Sequence, residues 1–132
     1  MLVFCGGCAD AACLQYADAT ISGTLTRQTF AGPPNFESIA AGDAPVTRLV
    51  LVPDRPHCVA RGTAPGLEPA VRRAQAFQLE DADIAADSAS PSPWDLVQRR
   101  VTCSGSLSHQ RTARDYSQVI LHARACVLDA QP

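Results

Sequence analysis

The sequence predicts a mainly β domain: a small five-stranded Greek-key barrel of the oligonucleotide/oligosaccharide-binding (OB) type, with one short helix between strands three and four. Three observations carry this expectation. Five segments show the residue-by-residue alternation and β-branched content of strands. Two of them, Ile21-Ser22-Gly23-Thr24-Leu25-Thr26 and Cys103-Ser104-Gly105-Ser106-Leu107-Ser108, match in pattern, each with a glycine in its middle where a strand must bend. Finally, ten prolines and eight glycines against 18% charged residues suit a loop-rich β protein better than a helical bundle.

The first strand is read over Thr20 to Phe30, where Ile21, Gly23 and Leu25 share one face. The second runs over Val46 to Val52 and is closed by Pro53 and the turn-forming Asp54-Arg55-Pro56. A loop over Arg61 to Pro69 leads to a short third strand, Ala74 to Leu79, in which Phe77 and Leu79 alternate. Glu80 to Ser92 is acidic, then small and polar, and reads as a surface excursion. Ser92 is placed to cap a short helix with Pro93 in its first position; Trp94, Leu96 and Val97 supply its apolar side, and it ends near Arg99. The fourth strand is Arg100 to Ser108, a turn covers His109 to Asp115, and the fifth strand, Tyr116 to Val127, is nearly continuous in apolar character.

Between the first two strands lies the densest stretch of the chain, Phe30 to Asp43. Pro33 and Pro34 hold φ near −65° and keep Gly32-Pro33-Pro34 extended. Asn35 can cap a helix start, Glu37 falls in its first turn and Gly42 can supply a left-handed stop, which predicts one or two helical turns over Phe36 to Ala41. Phe36 and Ile39 would share the face that pins this turn to the sheet, joined by Phe30. Most ordered loops of this kind pack with their own side chains. A long loop on a rigid scaffold is also where recognition is commonly placed, and Asn35, Phe36, Glu37, Ser38 and Asp43 are its candidate contacts. Acid–base work by Glu37 and Asp43 is not expected, because no nucleophile or orienting group lies near them in sequence.

At 132 residues the chain is read as one domain over residues 12–132, preceded by a signal-peptide remnant over residues 1–11. Met1-Leu2-Val3-Phe4 is apolar and Ala9-Asp10-Ala11 resembles a cleavage site, although the charged start of a secretory signal is missing. No stretch approaches the apolar length of a membrane-spanning helix. Six cysteines in so short a chain point to an oxidising compartment or to metal. Metal is the weaker reading, since Cys5 and Cys8 form a C-x-x-C with no second pair at zinc spacing. No metal or cofactor is therefore expected.

If the first two strands pair antiparallel about their loop, Cys13 and Cys58 fall at the same end of the ladder. The sequence predicts a disulfide between them, worth on the order of 4 kcal/mol through loop closure. Cys103 and Cys126 lie on the adjacent fourth and fifth strands and can either bridge or pack as small apolar residues.

Taken together, Gly23-x-Leu25, Phe30, Gly32-Pro33-Pro34-Asn35-Phe36-Glu37-Ser38-Ile39, Gly42-Asp43 and Pro56-x-Cys58-Val59 resemble the bacterial domain-of-unknown-function 4431 family. The resemblance runs from about Cys13 to Val127 and implies a small exported domain, sometimes found beside segments resembling lysozyme-inhibitor-like domains. Members often carry a histidine-rich turn before the last strand; here His109 stands alone in it, which removes the basis for a metal role of that turn. Valine is usual where Cys103 stands, which favours the packing reading of that cysteine.

The function classes rank accordingly. The chain has no glycine-rich phosphate loop, no G-x-S-x-G elbow and no evident Cys/His/Asp constellation, so an enzyme is not expected. His57 stands beside Cys58, but neighbouring residues of a strand point apart and the expected disulfide consumes the thiol. The leading expectation is a periplasmic or secreted binding module for a protein of the cell envelope, of inhibitor or immunity type. A glycan or small-ligand site is the second reading, with Trp94, Phe36 and Tyr116 as a stacking surface, although Trp94 on an amphipathic turn more often belongs to a core. Single-stranded nucleic acid is the third. Arg111, Arg114 and Tyr116 are rim candidates for it, joined by Arg99 and Arg100, but the net charge is −2 and aromatics are few.

Overall fold

The computed structural model describes residues 13–63, 68–80 and 92–129. The expected signal remnant, Cys5, Cys8 and most of the acidic excursion after Glu80 lie outside the described residues.

Among the described residues there are seven strands: β1 (Ala19–Ala31), β2 (Pro45–Pro53), β3 (His57–Val59), β4 (Val71–Ala74), β5 (Phe77–Glu80), β6 (Arg100–His109) and β7 (Val119–Leu128). Five of them close into a ring in the order β1-β2-β5-β7-β6, and β3 and β4 form a separate two-stranded sheet. All neighbours in the ring are antiparallel except β5 and β7, which run parallel. β5 is the short link, pairing with β2 through Val50 and Leu51 only.

Alternation along the strands fills the ring. Ile21, Leu25, Leu49, Leu51, Phe77, Val101, Leu107, Val119 and Leu121 are buried in one cluster. Burial of each such side chain stabilises the fold by roughly 1.5–3 kcal/mol. The two glycines of the matching hexapeptides serve one purpose. A Cβ on Gly23 would stand 2.1 Å from the carbonyl oxygen of Val52, and one on Gly105 would stand 2.1 Å from that of His122. At each point the neighbouring backbone crosses too close for a side chain. At Gly23 β1 passes from pairing with β6 to pairing with β2, and at Gly105 the register of β6 against β7 shifts.

Both cysteine pairs are bridged. Cys13–Cys58 joins the segment before β1 to β3, as expected. Cys103 and Cys126 face one another in the β6–β7 ladder with Cα atoms 4.0 Å apart and form the second disulfide, so the packing reading of Cys103 gives way to a covalent one.

Three expectations are corrected. The helix after Ser92 is a single 3-10 turn, Pro93–Leu96, because Val97 is extended and Gln98 takes φ 72°. The third ring strand begins at Phe77, not Ala74, because Val71–Ala74 is committed to β3. The last strand begins at Val119, because Tyr116 and Ser117 ahead of it are held by side-chain bonds to Gln78 of β5 and to Val119 itself.

Candidate functional site

The β1–β2 connection is fixed from its own interior. At its neck the Gly32 N–H donates to the Ala44 carbonyl (2.7 Å) and the Ala44 N–H to the Pro33 carbonyl (2.8 Å). Beyond the neck, the Asp43 carboxylate accepts from three backbone groups: the N–H of Asn35 at 2.9 Å, of Glu37 at 2.8 Å and of Ser38 at 2.9 Å. These donors, Ser38 and Glu37 foremost and then Asn35, hold the Asp43 carboxyl below its ordinary range. The Ser38 hydroxyl accepts from Ala41 N–H, so it too is used within the loop.

This arrangement replaces the expected helical turns. Phe36, where those turns would begin, takes φ 57°, which no right-handed helix accommodates; Gly42 has the positive φ expected of it, 115°, but the acceptor that gathers the amides comes from Asp43 at the far side of the loop and not from Asn35. The loop therefore turns Asp43 inward and leaves Asn35 and Glu37 exposed, with Phe36 and Ser38 half-buried. Ile39 is 44% exposed and does not pin the loop to the sheet. Phe30 meets another aromatic instead.

That partner is Tyr116, in the β6–β7 connection. The two rings stack with centroids 4.5 Å apart and planes within 10°, and the Tyr116 hydroxyl donates to the Ala31 carbonyl at 3.1 Å. Arg48 of β2 lies over the same tyrosine ring, 6.0 Å from its centroid. Within this second loop Asp115 repeats the device of Asp43, accepting from the N–H of Arg111 (2.8 Å) and Thr112 (3.2 Å).

Unlike the first loop, the second is keyed into the ring. Gln78 is 1% exposed; its side-chain oxygen accepts from Tyr116 N–H at 2.7 Å and its amide nitrogen donates to the Arg114 carbonyl at 3.3 Å. The Gln78 N–H donates to the Ser117 hydroxyl at 2.9 Å. Val50 and Ile120 flank Gln78 in the same row across β2, β5 and β7, alternate with core residues, and are buried too. The β6–β7 loop thus lies over the outer face of these strands. Of the rim candidates, Tyr116 is brought against the first loop, Arg111 pairs instead with Glu68 at 3.0 Å, and Arg114 is exposed. Arg100 binds Asp54 and Asp129, away from that rim. Arg99 lies beside it in sequence and is exposed.

Gln78, Asp115 and Arg48 are the residues of this candidate site that the sequence did not point to. A glutamine between Phe77 and Leu79 looks like an ordinary outward position of an alternating strand. Only the fold shows a loop covering it. A usable signal for Asp115 was its place a few residues after the turn it holds, the same position Asp43 has in its own loop.

A second feature lies at the rim formed by β2 and β5. Trp94, expected on a core-facing side, is 43% exposed, and with Thr47, Arg48, Leu49, Leu79 and Glu80 it lines an open groove of about 230 Å³. Arg48 thus shares the groove with Trp94 and lies over the ring of Tyr116, two of the expected stacking residues, while Phe36 is not among the residues of the groove. Elsewhere, His57 packs edge-on against Phe77, and burial holds its imidazole below the usual value, with Arg55 adding to the effect. Its neighbour Cys58 is in a disulfide and carries no free thiol. Among the described residues, no three His, Cys, Asp or Glu side chains gather as metal ligands, and no helix is long and apolar enough to cross a membrane.

No family model matches the chain, and no curated protein is similar to it.

Proposed function

We propose that this chain is a small exported OB-type domain that acts without catalysis, as a binding module for a protein of the cell envelope or exterior, in the manner of an inhibitor or immunity partner. The observation that carries the reading is the β1–β2 loop. Its backbone is held from inside by Asp43, which gathers the N–H groups of Asn35, Glu37 and Ser38, while Glu37 and Ile39 are exposed on its outside. A preorganised loop binds with less ordering entropy to lose, which is the design expected of a recognition surface.

Supporting the OB reading, the ring strands follow one another as first, second, third, fifth and fourth, with the third and fifth parallel. Export is supported by two intrachain disulfides, the chemistry of an oxidising compartment. The resemblance of the Gly32-to-Asp43 stretch to the domain-of-unknown-function 4431 family points the same way. Single-stranded nucleic acid is disfavoured, because the outer face of the second and third ring strands, where OB-type domains take oligonucleotides, lies under the chain's own β6–β7 loop.

A photo-crosslinking residue placed at Ile39 tests the proposal in the producing cell. One discrete adduct with an envelope protein is expected there, lost when Glu37→Arg is added, and none is expected from the same residue placed at Arg72 on the β3–β4 hairpin. Equal labelling at both positions, or none at Ile39, contradicts it.

A further inference from the structure

We propose that the groove between the β2–β5 rim and Trp94 is a binding site for a single neutral pyranose ring, either alone or within a longer glycan. The inference rests on the groove and is independent of the role given to the β1–β2 loop.

The geometry points to a sugar for three reasons. First, Trp94 is held out deliberately. Pro93 and Leu96 on either side of it are buried, and its own N–H is capped by the Ser92 hydroxyl at 3.2 Å, so the short turn is anchored while the indole faces solvent. An exposed indole on an anchored turn is a platform for the C–H face of a pyranose, where an apolar surface and a polar edge meet. Second, the floor is apolar and the walls are not. Leu49 and Leu79 are buried beneath, and Thr47, Arg48 and Glu80 supply a hydroxyl, a guanidinium donor and a carboxylate acceptor. Sugar hydroxyls both donate and accept, so a mixed pair of charges serves them. Among the described residues neither Arg48 nor Glu80 is committed to an ion pair. Third, about 230 Å³ is below the range of sites that enclose a drug-sized ligand, and the groove is open to solvent, so it takes one ring and lets a chain continue from it.

Charge decides between sugars and the other ring-shaped ligands. A nucleotide would also stack on the indole, but a phosphate drawn to Arg48 would meet Glu80 in the same groove, so the two opposite charges give an anion no net advantage there. The balanced pair of charges therefore suits an uncharged ring whose hydroxyls both donate and accept.

The chain has a single tryptophan, so its fluorescence reports on this groove alone. The test is a titration of the intact chain with cellotetraose, chitotetraose and mannotetraose, with thymidine monophosphate as the anionic competitor. At least one oligosaccharide is expected to give a saturable change, with Kd on the order of 1 mM or tighter. Binding is expected to weaken by about tenfold or more in Arg48→Ala and Glu80→Gln, corresponding to one full decade in Kd. Trp94→Ala, followed by the NMR shifts of the Thr47 and Leu79 amides, is expected to abolish it, and Trp94→Phe to retain part of it. Unchanged thermal unfolding in each variant establishes that the fold is intact. Glu37→Ala is expected to bind sugar normally, which separates a failure here from a failure of the loop. Absence of a saturable change with every oligosaccharide, persistence of binding in both Arg48→Ala and Glu80→Gln, or tighter binding of the nucleotide would each overturn the proposal.

Discussion

The two loops at the Phe30–Tyr116 contact use the same device to different ends. In each, one aspartate accepts from backbone N–H groups of its own loop: Asp43 from three, Asp115 from two. The β6–β7 loop is also bound to the ring through Gln78 and Ser117, in the buried outer row of Val50, Gln78 and Ile120. Among the described residues, the β1–β2 loop has no such anchor beyond its neck and the contacts of Tyr116 with Phe30 and Ala31. One loop is part of the fold, and the other is a rigid appendage to it. The difference teaches where variation can be tolerated: outward residues of the appendage can change without touching the core, which is the freedom a recognition surface needs.

The largest expected effect lies in the loop that belongs to the fold. Gln78→Ala leaves Tyr116 N–H and the Arg114 carbonyl without their partners in a buried site, and a loss of about 2–3 kcal/mol is expected in urea unfolding. A loss under about 0.5 kcal/mol, the range of ordinary surface substitutions, would break the comparison. Next, Tyr116→Phe keeps the stack on Phe30 and removes only the hydrogen bond to Ala31, so a loss of about 0.5–1.5 kcal/mol is expected from the same measurement. Acid sharpens the contrast. Because the Asp43 carboxyl is held below its ordinary value of 3.8, its contribution is fully present above that pH and is lost as pH falls through the lower, folded value. The amides of Asn35, Glu37 and Ser38 should therefore lose their NMR signature of a hydrogen bond in acid before the ring unfolds. The smallest effect is expected at Glu37→Ala, whose stability should stay within about 0.5 kcal/mol of the parent while partner adducts at Ile39 fall.

Much of this fold was legible because its long strands carry their pattern in full. β1, β2 and β6 lie within a residue of their expected limits, since ten or so alternating residues leave little room for another reading. The antiparallel arrangement of β1 and β2 also placed Cys13 near Cys58. The β3–β4 hairpin was not legible. Strands of three and four residues separated by a long connection hold too few positions for a period to show. Val71 and Ala74 are buried because of what they meet, not because of what surrounds them in sequence. The candidate loop was legible as an ordered connection and misread in its interior. Asn35 and Asp43 are both plausible acceptors on paper, and the choice between them is made by the left-handed turn at Phe36, which a phenylalanine gives no reason to expect. Trp94 was drawn inward by the apolar residues around it; in a 3-10 turn of four residues, Pro93 and Leu96 take the buried positions and the indole is left outside.

Amide hydrogen exchange on the parent chain and on Asp43→Asn tests the central claim, that the β1–β2 loop is a self-contained appendage held by one carboxylate. The amides of residues 35–43 are expected to exchange faster in the variant, while those of β1, β6, β7 and the Tyr116 loop keep the parent's protection. Faster exchange spread evenly over the ring, or an unchanged loop, would contradict it.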